Sequence, residues 1–247
     1  MSPDRAAKRG WRVLFWPTVF SVPALVLFVG LGIWQVHRLH WKEGLLAHID
    51  SQMHAPATDL PAEIADPASW EYRRVRVAGH YQNDKELYLY APGPNGNAGY
   101  LVITPLVRDQ GLPVLVNRGW VPEDRRDPST RTESTREGRV EIEGIGRITG
   151  GAGPFTPANE PAKNRWFSRD FDAMGKAVGE DVAPVMVDRD KAPLPGGYPL
   201  GGQTRIDIPN NHLEYAITWF GLAYTLLIMF GIYARRALKA AKSAESA

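Results

Sequence analysis

The sequence predicts a membrane protein with two transmembrane helices, N- and C-terminal, flanking an exported α+β domain whose sheet is mainly antiparallel. Three observations carry that prediction. The 247 residues are 44% hydrophobic, yet the mean hydropathy is only −0.29, so the apolar residues are concentrated rather than spread. They gather in two stretches, Val13 to Trp34 and Leu213 to Ala234. Most of the residues between read with period two, the mark of half-buried strands.

The first stretch follows Arg5, Lys8, Arg9 and Arg12 and runs on into Gln35-Val-His-Arg38-Leu-His-Trp41-Lys42 with no small-residue cleavage site. It is longer than the core of a signal peptide, so it reads as an uncleaved anchor. Pro17 and Pro23 are tolerated in lipid where neighbours re-satisfy the freed carbonyls, and Gly30 and Gly32 let a partner helix approach closely.

The second stretch opens with Pro209-Asn210-Asn211. This is a start signal, because Asn side chains accept from the first free N–H groups of a helix and Pro is excluded from its interior. From Leu213 to Ala234 Glu214 is the one acid or base. A helix of that length reaches roughly 33 Å, enough to cross a hydrocarbon core of about 30 Å.

Basic residues flank the outer end of each span, with Arg235, Arg236, Lys239 and Lys242 after the second. That bias puts both termini in the cytoplasm and exports the middle. The expected organisation is a cytoplasmic N-terminus (1–12), a first span (13–36), an exported periplasmic domain (37–211), a second span (212–234) and a cytoplasmic tail (235–247). The leader is too short for an organellar transit peptide, so a bacterial inner membrane is the simplest location.

Within the exported domain, Val75 and Val77 alternate with Arg74 and Arg76, and Leu87 and Leu89 with Tyr88 and Tyr90. Tyr100 to Val107 and Val114 to Val121 form apolar runs joined by Asp109-Gln-Gly111, a hairpin. Val140, Ile142, Gly144, Gly146 and Ile148 share one face of a further strand, and Val185-Met-Val187 reads as another. Phe171, Met174, Ala177 and Val178 recur at helical spacing, with Ser168 placed to cap the helix and Gly179 to end it. Residues 122–139 mix acids and arginines evenly and read as an exposed, mobile loop. The glycine- and proline-rich stretch 193–202 reads as the turn that returns the domain to the membrane.

Composition excludes several functions. A net charge of +2 gives no basic face for nucleic acid. The absence of cysteine excludes disulfides, thiol catalysis and Cys-based zinc sites. There is no Gly-x-Ser-x-Gly elbow, His-Glu-x-x-His pair or Walker loop, and Gly144 to Gly153 fails the dinucleotide spacing. No acid, base and nucleophile group stands out, so no catalytic residue is assigned. A two-span sensor lacks a signalling domain in either terminal segment.

His212 is the candidate that remains. It falls in the first turn of the second span, at the water–membrane boundary. There the positive end of the helix dipole and partial desolvation act against further positive charge, so a neutral ring with a free lone pair is expected. Such a ring can ligate a metal; equally, it can cap the helix or bond a loop carbonyl. Tyr215 and Trp219 lie on the same side of that helix. Trp34, Arg38 and Trp41 share a face if the first helix continues past the membrane.

Several stretches together resemble the surfeit locus protein 1 family of cytochrome c oxidase assembly factors. They are Leu31-Gly-Ile-Trp34-Gln35-Val-His-Arg38-Leu-His-Trp41-Lys42, Tyr72 to Gly79, Lys85 to Tyr88, Gly99 to Pro105, Val116-Asn-Arg118-Gly119-Trp120-Val121-Pro122, Asn164 to Asp170, and Asn211-His212-Leu213-Glu-Tyr215-Ala-Ile-Thr218-Trp219-Phe-Gly221. Their order over nearly the whole chain carries the match. The resemblance implies a non-enzymatic protein that helps deliver or insert haem a into subunit I of the oxidase, beside haem A synthase. It makes His212 a candidate ligand of the haem iron. On that reading the apolar face of haem a partitions between the two spans, Trp34, Tyr215 and Trp219 flank it, and Arg38 meets its propionates. Two alternatives stay open: the tryptophans form an ordinary interfacial belt with Arg38 paired to Glu214, and the protein is a haem-free scaffold.

Overall fold

The computed structural model describes residues 3–93, 96–150, 152–204 and 209–243. Gly151 of the glycine run, residues 205–208 near the expected end of the exported domain and the last tail residues, 244–247, lie outside the described residues. So do the side chains of Arg5, Lys8, Arg9, Arg12 and Lys242. The chain falls into two units, Met1–Ala47 with Asp207–Ala247, and His48–Ile206.

The first unit is helical. Helix α1, Pro3–Met53, has 51 residues with Pro17 and Pro23 inside it, and it runs on well beyond the apolar stretch that predicts it. Helix α3, His212–Ser243, has 32 residues (α2 belongs to the other unit). The segments Val13–Met53 and His212–Ala241 are long and apolar enough to cross a membrane. Small residues line the α1–α3 seam: Ala216 and Ala223 are buried, and a Cβ at Gly32 would lie 2.7 Å from the Phe220 ring. Gly30 faces open space, so the close approach expected at both glycines occurs only at Gly32. Trp219 packs on Phe28 with ring centroids 5.8 Å apart.

The second unit is an α+β body built on a seven-stranded sheet. Its strands are β1 (Thr58–Asp59), β2 (Arg74–Tyr81), β3 (Leu87–Tyr90), β4 (Gly99–Arg108), β5 (Val114–Pro122), β6 (Arg139–Arg147) and β7 (Met186–Arg189), and helix α2 (Phe171–Val178) lies between β6 and β7 in sequence. The order is β1-β2-β6-β7-β5-β4-β3, and a further β2–β4 pairing closes β2, β6, β7, β5 and β4 into a ring. The sheet is mixed rather than purely antiparallel, because β1 runs parallel to β2 and β7 parallel to β5. The chain reaches β7 only after crossing β6 and α2, which lets it enter beside β5 in the same direction. Val185 to Val187 is too short a run to reveal its partner's direction. The β4–β5 hairpin forms as expected.

All five strands of the ring contribute to one apolar face. Val75, Val77, Leu106, Val114, Val116 and Val187 bury there together, with Val140 and Ile142 packed against them. The alternate residues Leu87, Ile103, Leu115 and Met186 meet Phe171, Met174 and Val178 of α2, with Trp166 fully buried among them. Asp170, rather than Ser168, caps α2 by accepting from the Ala173 N–H at 3.0 Å. Gly179 ends it in the left-handed region at φ +77.

Residues 122–139 are mostly exposed, as their composition suggests, but they are ordered rather than a featureless loop. They fold into 3₁₀ turns at Glu123–Arg125 and Pro128–Ser134, and Arg131 turns inward to pair with Glu86. Arg118 meets the same carboxylate from β5 at 3.2 Å. All three side chains are at most 5% exposed. A buried carboxylate flanked by two guanidiniums gives the segment an anchor that alternation and turn signals do not encode. Beyond β7, Leu200 pairs with Trp120, so the turn stretch 193–202 packs against β5.

Candidate functional site

The start of α3 is built from Pro209, Asn210 and Asn211, and its first backbone bond runs from Tyr215 N–H to Asn211 C=O at 3.2 Å. The Asn210 side-chain oxygen is buried without a partner among the described residues, so it does not serve as the expected cap. Lys42 of α1 donates to the Pro209 carbonyl and ties the two helices together just outside α3.

His212 is half-buried and faces α1. Its Nδ1–H donates to Gln35 Oε1 at 2.7 Å. An amide oxygen only accepts, so in the neutral tautomer that fits this bond the proton is on Nδ1 and the lone pair on Nε2. Gln35 is itself 8% exposed and lies one turn beyond Gly32 on the face that meets α3. The sequence reading gave it no role. Its signal was a single uncharged polar side chain at the end of an apolar span, where such groups bond across helices.

The other candidates lie around this bond without joining it. Trp34 and Trp41 are about half exposed, and the Arg38 guanidinium stacks on Trp41 at 3.9 Å from the ring centroid. Trp34, Arg38 and Trp41 therefore share an outward face, as their spacing requires. Among the described residues Arg38 makes no ion pair with Glu214, which is exposed. Tyr215 is 55% exposed, whereas Trp219 is turned into the seam against Phe28. Inward of His212 the seam packs Phe220 on Gly32 and Trp219 on Phe28. Trp34, Arg38 and Tyr215 are exposed.

Two motif residues of the α+β unit hold its loops in place. Trp120 is buried and donates from Nε1 to the Ala91 carbonyl at 3.0 Å. Asn164, left-handed at φ 49, donates to the Glu86 carbonyl at 2.7 Å and accepts from Trp166 Nε1 at 3.1 Å.

Fold and site define a class: a membrane-associated protein that carries an α+β domain between two candidate spans and an oriented imidazole where those spans meet. Comparison with known proteins narrows it. The model of the SURF1 family matches residues 22–224. A surfeit locus protein 1 from Rattus norvegicus is 39% identical over 92% of this chain and 76% of its own length. Those of Takifugu rubripes and Homo sapiens are 40% and 37% identical, each over 78% of this chain and over 86% and 69% of their own lengths. The chain belongs to the SURF1 family, and membership implies a role in cytochrome c oxidase assembly.

Proposed function

We propose that this protein serves oxidase assembly by holding haem a as transient cargo at the mouth of the α1–α3 pair and passing it to subunit I, beside haem A synthase. His212 is the iron ligand through Nε2. The observation that carries the reading is the Nδ1–H bond to Gln35, which orients the ring and leaves the other nitrogen with its lone pair. A hydrogen-bonded second nitrogen is the usual support of a metal-ligating histidine. On this reading the exposed Arg38 meets a propionate as a charged donor, and the exposed Trp34 and Tyr215 offer aromatic faces to the cargo. Because the seam is packed, the cargo lies against the exposed side of the pair. On this reading the protein is no enzyme; it sits in a bacterial inner membrane with both termini cytoplasmic and the α+β domain in the periplasm.

A second reading, a haem-free scaffold for an oxidase intermediate, is favoured by that same packed seam. Purification in detergent from cells that make haem a separates the two. A Soret band in the wild type that is lost in His212→Ala supports cargo binding. No band at any haem supply supports the scaffold.

A further inference from the structure

Alternation along the strands carries the inner face of the ring past its apolar core. Two residues on from Gly79 that face reaches Tyr81; two on from Val116 it reaches Arg118; two on from Val187 it reaches Arg189. At Arg118 the β4–β5 register breaks, with Val102 opposite Gly119 and Ile103 opposite Asn117. Arg118 is left unmatched in a bulge, the device by which a strand re-aims one side chain. Tyr81, Arg118 and Arg189, with Arg136 and Arg139, line a cavity of about 510 Å³, a volume in the range of small-molecule sites.

The polar groups of this cavity are not all satisfied. Among the described residues Tyr81 Oη is buried with no hydrogen-bond partner. Burial pushes the phenol up to about 12, against the pull of Arg118, Arg189 and Arg136, so it remains an O–H donor. Arg189 is 7% exposed, yet among the described residues its guanidinium donates only to backbone, to Arg118 C=O at 3.2 Å and Pro199 C=O at 3.5 Å. Among the described residues neither Arg189 nor Arg136 has a carboxylate within ion-pair distance. The acids in the wall already have partners: Glu143 pairs with Arg74 and Arg76, Asp190 with Arg74 at 2.6 Å, and Glu141 with Arg76. Arg118 pairs with Glu86, which it shares with Arg131, and Arg139 pairs with Asp109.

A buried guanidinium without a counter-charge and a buried hydroxyl without a partner are each destabilising until a ligand satisfies them. Among the described residues the buried Arg189, the exposed Arg136 and the unpartnered Tyr81 O–H line one cavity, and an acceptor-rich anion is the group that satisfies them. We propose that this end of the ring is an oxyanion site, taking a carboxylate or phosphate group on Arg136, Arg189 and the Tyr81 hydroxyl. The site is separate from His212 and stands whether or not haem binds there.

The test uses the full chain in detergent, melted with sodium phosphate, sodium succinate or sodium chloride at equal ionic strength. Stabilisation by phosphate or succinate at millimolar concentration, with none from chloride, is the expected result. A response to phosphate alone assigns a phosphoryl ligand, and one to succinate alone a carboxylate. Arg136→Ala, at an exposed position, should weaken the response at least about ten-fold, and Tyr81→Phe by about three- to ten-fold, as lost charged and neutral hydrogen bonds do. Equal shifts in chloride, or an undiminished response in Arg136→Ala, overturn the proposal.

Discussion

Gln35 accepts the Nδ1 proton of His212 across the helix pair at 2.7 Å, and that single bond sets both the tautomer and the direction of the ring. If Nε2 holds haem iron, the amide is the group that supports the ligand. Gln35→Leu keeps the volume in the seam and releases the ring. Haem retained per protein after gel filtration should then fall by about ten-fold or more, the usual effect of losing such a support. Gln35→Glu, which keeps an acceptor, should retain most of it. Equal retention in all three proteins removes the supporting role.

Glu86 gathers Arg118 and Arg131 in the interior of the α+β unit. Removing its charge leaves two guanidiniums buried without compensation, and breaking such a cluster typically costs about 3–5 kcal/mol. Glu86→Gln should therefore lower the midpoint of chemical unfolding strongly, followed by circular dichroism. Asp109→Asn, which breaks the exposed Arg139–Asp109 pair, should leave it unchanged. A small effect at Glu86 would mean that water reaches the cluster.

The contrast shows how far the sequence was readable. Alternation at Val75 and Val77, the hairpin turn at Gly111 and the two long apolar runs are local patterns, and local patterns yielded the strands and the spans. The closure of β2 on β4, the parallel entry of β7 and the inward turn of Arg131 toward Glu86 depend on residues tens of positions apart. Charge-balanced composition at 122–139 reads as solvated whether or not one arginine of the five is buried. At the candidate site, His212 was legible from its place at the head of an apolar run. Gln35 was not, since only the facing of two helices gives an isolated amide its partner.

Gly119 adopts φ +129, and a Cβ there would lie 2.2 Å from the Leu200 carbonyl oxygen. That contact is backbone on backbone, so a rotamer change cannot relieve it. Gly119→Ala combines left-handed strain with the clash and should destabilise by about 3 kcal/mol or more. It should also free the 193–202 segment from Trp120, seen as faster amide exchange at Leu200, whose N–H bonds to the Trp120 carbonyl at 2.8 Å. Unchanged exchange there would locate the damage elsewhere.

Arg76 and then Arg74 hold the Glu143 carboxyl below its ordinary value through hydrogen bonds, and Lys85 and then Gln82 do the same for Glu180. A folded value depressed below the unfolded one gives stability that is present above the unfolded value and is lost as pH falls through the folded one. Melting temperature should thus decline as pH drops below about 4.3, the ordinary glutamate value. The gap between wild type and Glu143→Gln should be widest near neutrality and close in acid. A gap that is constant with pH would mean that Glu143 acts by packing rather than by charge.

The orientation of the chain rests on Arg235, Arg236 and Lys239 beyond the apolar part of α3, together with the basic cluster ahead of Val13. Such residues are retained on the cytoplasmic side, while a long intervening segment crosses whatever its own charge. Alkaline phosphatase folds into an active enzyme only after export, so a fusion after Gly111 should be active and one at Ala247 silent. A fusion after Gly10 should be silent as well, since it lacks the first apolar run that would carry the reporter across. Changing Arg235, Arg236 and Lys239 together to Asn should raise activity at Ala247 by letting the tail cross in part of the molecules. If the Gly111 fusion is silent and the Ala247 fusion active, the α+β unit faces the cytoplasm, and the proposed handover of cargo at the outer mouth of the helix pair fails with it.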